Sequence, residues 1–291
     1  MLLLFLGGAA AGWALSSSSH TPTASSSNPQ PRNGDRLTSR LRQVEAEVAK
    51  ARGGGPTPAP ASAGTQTSIL SGVTIVVDPG HNGGNASHPE QINRLVPAGA
   101  NGTTKPCNTT GTETDDGKLT EAQFNLDVAE ILVTKLESLG AKVITTRTNN
   151  EGVGPCVNQR AEIGNRAHAD VAISIHADGN LSPGAHGFDV IYPSTDEMVM
   201  PAIAESDKHL AIQLRNALLG AGIPPANYVG REGLDERDDL AGLNLSTQPI
   251  ALVELGNMRS SAEAAKLESP AYQARLAGAL DSGLRRYLGT G

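Results

Sequence analysis

Four side chains able to bind a metal ion or move a proton fall where apolar runs of this sequence give way to polar ones. His81 follows VTIVVDPG, His176 closes VAISIH, Glu254 nearly closes PIALVE, and Glu121 opens the helical pattern EAQFNLDVAEIL. Two imidazoles and a carboxylate around one open position are the ligand set of a catalytic zinc, and a further carboxylate beside them serves as a base toward water. At this level either Glu121 or Glu254 can take either part. Glu254 most needs a partner, because a carboxylate on so apolar a strand is costly unless it is paired, liganded or at work. Asp78, three residues before His81, stands where a carboxylate supports a ligand from behind.

Other chemistries are poorly served. The glycines of PGHNGGN do not follow either of the common phosphate-binding spacings, and no helix starts directly after them. The motif H-E-x-x-H is absent, no serine lies in G-x-S-x-G, and both cysteines sit in polar loops. Taken singly, each histidine is an ordinary loop residue and Glu121 an ordinary first-turn acid. Their shared address argues for more.

That address is set by the elements around them. VTIVVD (73–78), KVITTR (142–147), VAISIH (171–176), FDVIY (188–192) and PIALVEL (249–255) are nearly continuous β-branched and apolar runs, as strands buried on both faces require. Helical patterns alternate with them over 120–139, 158–168, 203–220 and 270–288. The fold class is α/β, a single mostly parallel twisted sheet flanked by helices on both faces. His81, His176 and Glu254 then lie at the carboxyl ends of strands, the edge where open α/β sheets bind ligands. Thr120 and Gln123 form a capping box, Gly140 is a helix stop, and Ser269 with Pro270 starts the last helix.

The 291-residue chain has a formal net charge of −7, and the acidity is uneven. Residues 1–66 carry six Lys/Arg against three Asp/Glu, leaving 17 against 27 for the rest. An acidic domain is a poor match to nucleic acid. MLLLFLGGAAAGWAL (1–15) reads as a signal peptide or a weak membrane anchor. Residues 16–68 are a low-complexity linker carrying a short basic helix at about 36–52, and the compact domain occupies 69–291. The chain is therefore expected to be exported to the periplasm, the cell wall or the medium, free or held weakly to membrane or wall by its N-terminal segment. A monomer is expected.

Export together with an even cysteine count favours a Cys107–Cys156 disulfide pinning the long 82–119 loop. Arg160, Arg166 and Arg259 are candidates for binding substrate carboxylates, with solvated helix charge as the commoner meaning. His186, on a loop after the His176 strand, is a candidate to line the cleft, whereas His88 and His168 read as structural or exposed.

Together VVDPGHNGGN, LTEAQFNLDVAEILVTKLESLGAKVITTR, NRAHADVAISIHAD and PIALVELGNM resemble the zinc-dependent N-acetylmuramoyl-L-alanine amidases of the third amidase family. The GNM ending is similar to the actinobacterial branch; many other members of the family have phenylalanine after the glycine, where this chain has Asn257 and Met258 after Gly256. The resemblance spans about 70–288. It implies a peptidoglycan hydrolase that cuts between N-acetylmuramic acid and L-alanine in peptidoglycan or its muropeptide fragments. One zinc per chain would be held by His81, Glu121 and His176, with Glu254 as the catalytic glutamate. Two other readings stay open from the residues: a zinc carboxypeptidase acting on cell-wall peptides, and a non-catalytic wall-binding regulator.

Overall fold

The computed structural model describes residues 68–291; the N-terminal segment, its linker and the basic helix expected at 36–52 lie outside the described residues. In chain order the elements are β1 (Thr74–Pro79), α1 (Pro89–Ile92), β2 (Leu95–Pro97), β3 (Thr104–Pro106), α2 (Glu121–Ser138), β4 (Lys142–Thr145), α3 (Val157–Ala167) and β5 (Val171–Asp178). They continue with β6 (Asp189–Pro193), α4 (Ala204–Gly220), β7 (Leu234–Arg237), α5 (Ala241–Asn244), β8 (Ile250–Asn257), α6 (Ser261–Leu267) and α7 (Pro270–Tyr287).

Six strands form one sheet in the order β4-β1-β5-β8-β6-β7, and β2 pairs with β3 in a separate hairpin. The neighbours β4, β1, β5 and β8 are all parallel; β6 runs antiparallel to β8 and parallel to β7. The sheet is thus mostly parallel, with helices on both faces.

Those two faces are unequal. Because strand side chains alternate, Ile75, Val77, Ile173, Ile175, Val253 and Leu255 point to one side, where they pack against Phe124, Leu132 and Leu136 of α2, Leu210 and Leu214 of α4, and Leu276 and Leu280 of α7. Each such fully buried side chain contributes about 1.5–3 kcal/mol of burial energy, so this layer carries most of the core. On the other side Val76, Ala172, Ile191, Ile250 and Leu252 meet only Ala169, Leu243 and a few partners near α3 and α5.

Local signals act largely as read. Thr120 is the N-cap of α2, its side chain accepting the Gln123 amide, and Gly140 follows the helix with φ of +90°. Only half of the expected capping box forms, because the Gln123 side chain donates to Asp127 and accepts from Asn150 instead. Ser269 caps α7 by position, without a side-chain hydrogen bond, and Pro270 occupies the first turn.

Candidate metal centre

The strand alternation that makes the core also selects the site. Asp78, Ser174, His176, Asp189 and Glu254 all fall on the thinly covered face, and β5 and β8 pair so that His176 lies opposite Glu254. His81 arrives differently. Beyond β1 the chain turns through Gly80 into a residue with φ of 57°, a left-handed conformation uncommon for anything but glycine. Arg160 holds this turn from behind: its guanidinium donates to the Pro79 carbonyl at 2.7 Å, to the His81 carbonyl at 2.7 Å and to Asp78 Oδ1 at 2.6 Å. Gly80 lies against the imidazole of His176, where a Cβ would come within 2.2 Å of Cε1.

Three donors converge there. Glu121 Oε1 is 3.0 Å from His81 Nε2 and 2.9 Å from His176 Nδ1, and the two rings meet edge to face at 4.9 Å. One ligand atom from each of the three residues lies within 4.8 Å of the others. On its far side His81 Nδ1 is 3.1 Å from the Thr109 carbonyl, which it can engage as a donor, leaving Nε2 free to bind an ion. Two imidazole nitrogens and a carboxylate oxygen, with an outer hydrogen bond fixing one tautomer, suit a borderline-soft cation such as zinc.

The electrostatics fit ligands brought together ahead of an ion. Burial works against charge on Glu121, but His81 and His176 outweigh it and hold its carboxyl far below the ordinary range. Burial also opposes charge on His81, yet Glu121 raises its pKa; burial lowers that of His176 against the same carboxylate. Glu254 moves the other way, pushed well up by burial and then by Glu121, Asp189 and Asp178, with Arg237 opposing. Its Oε2 is buried without a hydrogen-bond partner. Asp189, directly across the antiparallel pairing from Glu254, is raised to about 7 by burial, Asp178 and Asp235. Asp78 is different again: burial pushes it up, but Arg160, Thr146 and Ser174 hold it at about 2.

A cavity of about 540 Å³ runs along this face from His81, Glu121, His176 and Glu254 toward Val76, Ala172 and Leu252, with Lys105, Arg237 and Asp239 on its wall. That volume is within the range of small-molecule sites. Asp78 reaches the cavity and supports the His81 turn through Arg160 rather than by touching an imidazole.

The remaining expected residues are placed apart. Arg160 is not a solvated charge but a buried brace that also lines the cavity. Arg166 is exposed and paired with Glu162 one helical turn away. Arg259 ties the long loop down, contacting Asp115 Oδ1 at 3.1 Å and the Glu113 carbonyl at 3.3 Å. His186 is exposed and folds back on the Gly184 carbonyl at 2.8 Å, away from the cavity lining. Cys107 and Cys156 are joined as a disulfide, beside Val96 and Val157. Sequence reasoning passed over Arg147, Asn125 and Asp189. Arg147, a charge at the end of KVITTR, and Asp189, an acid inside FDVIY, each interrupt an apolar run.

Comparison with known proteins follows the same span. Residues 75–286 match the family profile described as N-acetylmuramoyl-L-alanine amidase. Over 221 residues the chain is 38% identical to N-acetylmuramoyl-L-alanine amidase Rv3717 of Mycobacterium tuberculosis, covering 76% of this chain and 88% of that protein. The crystal structure of the N-acetylmuramyl-L-alanine amidase Ami1 from Mycobacterium smegmatis aligns with a TM-score of 0.71 at 38% identity, over 76% of this chain and 99% of the other. Ami1 from Mycobacterium abscessus gives a TM-score of 0.70 at 41% identity, over 75% and 100%.

Proposed function

The chain belongs to the N-acetylmuramoyl-L-alanine amidase family and is a peptidoglycan amidase, and we propose that it works with one zinc ion held by His81, Glu121 and His176 and with Glu254 as the base. The bond cut is the amide between the lactyl group of N-acetylmuramic acid and the L-alanine of the stem peptide. The observation that carries the reading is the meeting of three donors around one point, with a partnerless, buried Glu254 oxygen on the strand position opposite His176.

When bound, zinc polarises the amide carbonyl and brings the pKa of a water molecule toward neutrality. Glu254 takes a proton from the attacking water and delivers it to the departing alanine nitrogen. Oxygen adds to the carbonyl carbon and the C–N bond breaks, leaving a lactyl carboxylate and a free amino terminus on the peptide. His81, with Nδ1 turned to the Thr109 carbonyl, would hold the ion through Nε2. The cavity beside them gives the substrate an apolar floor of Val76, Ala172 and Leu252 and a wall carrying Lys105, Arg237 and Asp239.

Location follows from the substrate, which lies outside the cytoplasmic membrane; export by residues 1–15 takes the chain there. Among the described residues no helix is long and apolar enough to cross a membrane. The test is product analysis. Purified muropeptides incubated with the enzyme should yield stem peptide beginning with L-alanine, chelation should stop the reaction and Zn²⁺ should restore it. Release of a C-terminal amino acid instead, or full turnover after exhaustive chelation, overturns the proposal.

A further inference from the structure

Arg147 lies two residues beyond β4 and is 7% exposed, with Asp78, Asp127 and Glu121 attracting its charge. Its five N–H groups find five neutral oxygens. Nε donates to the Pro79 carbonyl at 2.9 Å; Nη1 donates to the Asn149 carbonyl at 2.9 Å and to Asn150 Oδ1 at 3.4 Å. Nη2 donates to the Gly80 carbonyl at 2.9 Å and to the Ala122 carbonyl at 2.6 Å. Taking a guanidinium out of water is expensive, and here each of its donors is spent on holding backbone or amide oxygens in place.

The two carbonyls that share Nη2 identify the need. Gly80 immediately precedes His81, and Ala122 immediately follows Glu121, so one nitrogen bridges the backbones of two ligand arms that come from different elements. A second side-chain bridge between those arms is Asn125, whose Nδ2 reaches the Gly80 carbonyl and Glu121 Oε1 only at 3.4 Å each. Arg160 grips the neighbouring carbonyls of Pro79 and His81, but not α2.

We propose that Arg147 is a positioning residue for the metal centre, fixing the Gly80 backbone against that of Ala122 so that His81 and Glu121 are already spaced as a pair when the ion arrives. The inference rests on the reading of His81, Glu121 and His176 as zinc ligands. It separates from a plain structural role because a structural residue would cost stability alone, whereas a spacer also sets metal affinity and coordination geometry.

The experiment compares the full-length wild type with Arg147→Lys, Arg147→Gln and Leu280→Ala, the last a core substitution in α7 remote from the clamp. For each, the dissociation constants of Zn²⁺ and Co²⁺ are measured by chelator competition, with the visible spectrum of the Co²⁺ form, kcat, KM and Tm. Lysine keeps the charge but cannot place donors on all these carbonyls at once. Arg147→Lys should weaken Zn²⁺ binding by about 10–100-fold, the usual effect of losing an outer partner of a metal ligand. It should also alter the Co²⁺ spectrum and lower kcat more than it raises KM, while Leu280→Ala lowers Tm with metal affinity within about twofold of wild type.

Wild-type Zn²⁺ affinity and Co²⁺ spectrum in a folded Arg147→Lys chain overturn the proposal. So does an equal loss of affinity in Leu280→Ala at matched Tm. If the Arg147 variants do not fold, hydrogen exchange of the metal-free wild type decides: the amides of Gly80 and Glu121, bonded to the carbonyls of Ile175 and Thr112, should be protected before Zn²⁺ is added, and free exchange there overturns the idea. A wild type that takes up no Zn²⁺ sinks the metal reading itself, a different result from unaltered uptake in the variants.

Discussion

Replacing Glu254 by glutamine keeps the side chain's shape while removing its charge, and the structure predicts opposite effects on stability and on turnover. In the metal-free chain burial, Glu121, Asp189 and Asp178 together raise the Glu254 pKa above its ordinary 4.5. A raised folded-state pKa means that stability is full at low pH and is lost as the pH climbs past 4.5, because the unfolded chain ionises first. Glutamine cannot ionise, so it removes that loss. Each pKa unit by which the folded carboxyl is raised is worth about 1.4 kcal/mol of that loss. For a domain of roughly 200–250 residues that is worth about 2–4 °C in Tm per kcal/mol. Metal-free Glu254→Gln should therefore melt several degrees above the wild type at pH 8 and level with it at pH 4. Turnover on muropeptides should fall by about 100-fold or more, as removal of a general base does, with zinc stoichiometry retained. Thermal unfolding by circular dichroism, metal analysis and mass spectrometry of the products read all three. A lower Tm than wild type at pH 8 refutes the electrostatic argument, and retained turnover refutes the role.

The other predictions concern packing, covalent bracing and a second buried acid. Gly80→Ala puts a methyl 2.2 Å from the His176 ring, so the ring must leave its place; Zn²⁺ affinity should drop by at least about 10-fold with only about 1–3 kcal/mol lost in stability, and unchanged affinity in isothermal titration counts against the geometry. Opening the Cys107–Cys156 bridge, whose ends are 49 residues apart, should cost about 4 kcal/mol on the chain-entropy model; a Tm that does not move on replacing both cysteines with alanine contradicts it. Asp207 sits in α4 with Oδ1 accepting the Ile250 amide at 2.7 Å and Oδ2 without a partner, and burial raises it to about 7. Its contribution is therefore full below 3.8 and lost as pH rises to about 7, so Asp207→Asn should stabilise by about 2–4 kcal/mol at pH 8 and by almost nothing at pH 3; denaturant unfolding at the two pH values checks the sign.

The strands legible in the sequence are those written as β-branched, apolar runs, four of them buried inside the sheet and one, β4, at its edge. Burial leaves an unbroken apolar run, and the five read in this way are β1, β4, β5, β6 and β8, to within a residue or two at most ends. The sixth, β7, is Leu-Asp-Glu-Arg at the sheet's edge, where one side meets solvent and composition carries no strand signal. The hairpin of β2 and β3 is three residues a side and equally silent. His81 and His176 stood out as candidate donors because a polar residue at the end of an apolar run is an anomaly visible locally. What their supports would hold was not visible. Arg160 meets Asp78 across 82 positions and Arg147 meets Gly80 across 67, and only the folded sheet brings such partners together. A helical arginine such as Arg160 looks like a solvated charge until its partner is known.

The unequal faces of the sheet explain why the site lies where it does. Three long helices, α2, α4 and α7, seal one side, leaving the strands' alternate residues free to be polar on the other. Along β1, β5 and β8 these alternate residues run from Val76, Ala172 and Ile250 up to Asp78, His176 and Glu254, so each strand changes from apolar to chemical as it approaches the carboxyl edge. The light cover of α3 and α5 leaves a cavity over that gradient instead of a second packed layer. Stability and chemistry thereby draw on different residues of the same strands. A truncation such as Leu280→Ala should cost stability, about 2–5 kcal/mol, while leaving the candidate metal donors in place, whereas Gly80→Ala should displace the His176 ring at a smaller cost in stability.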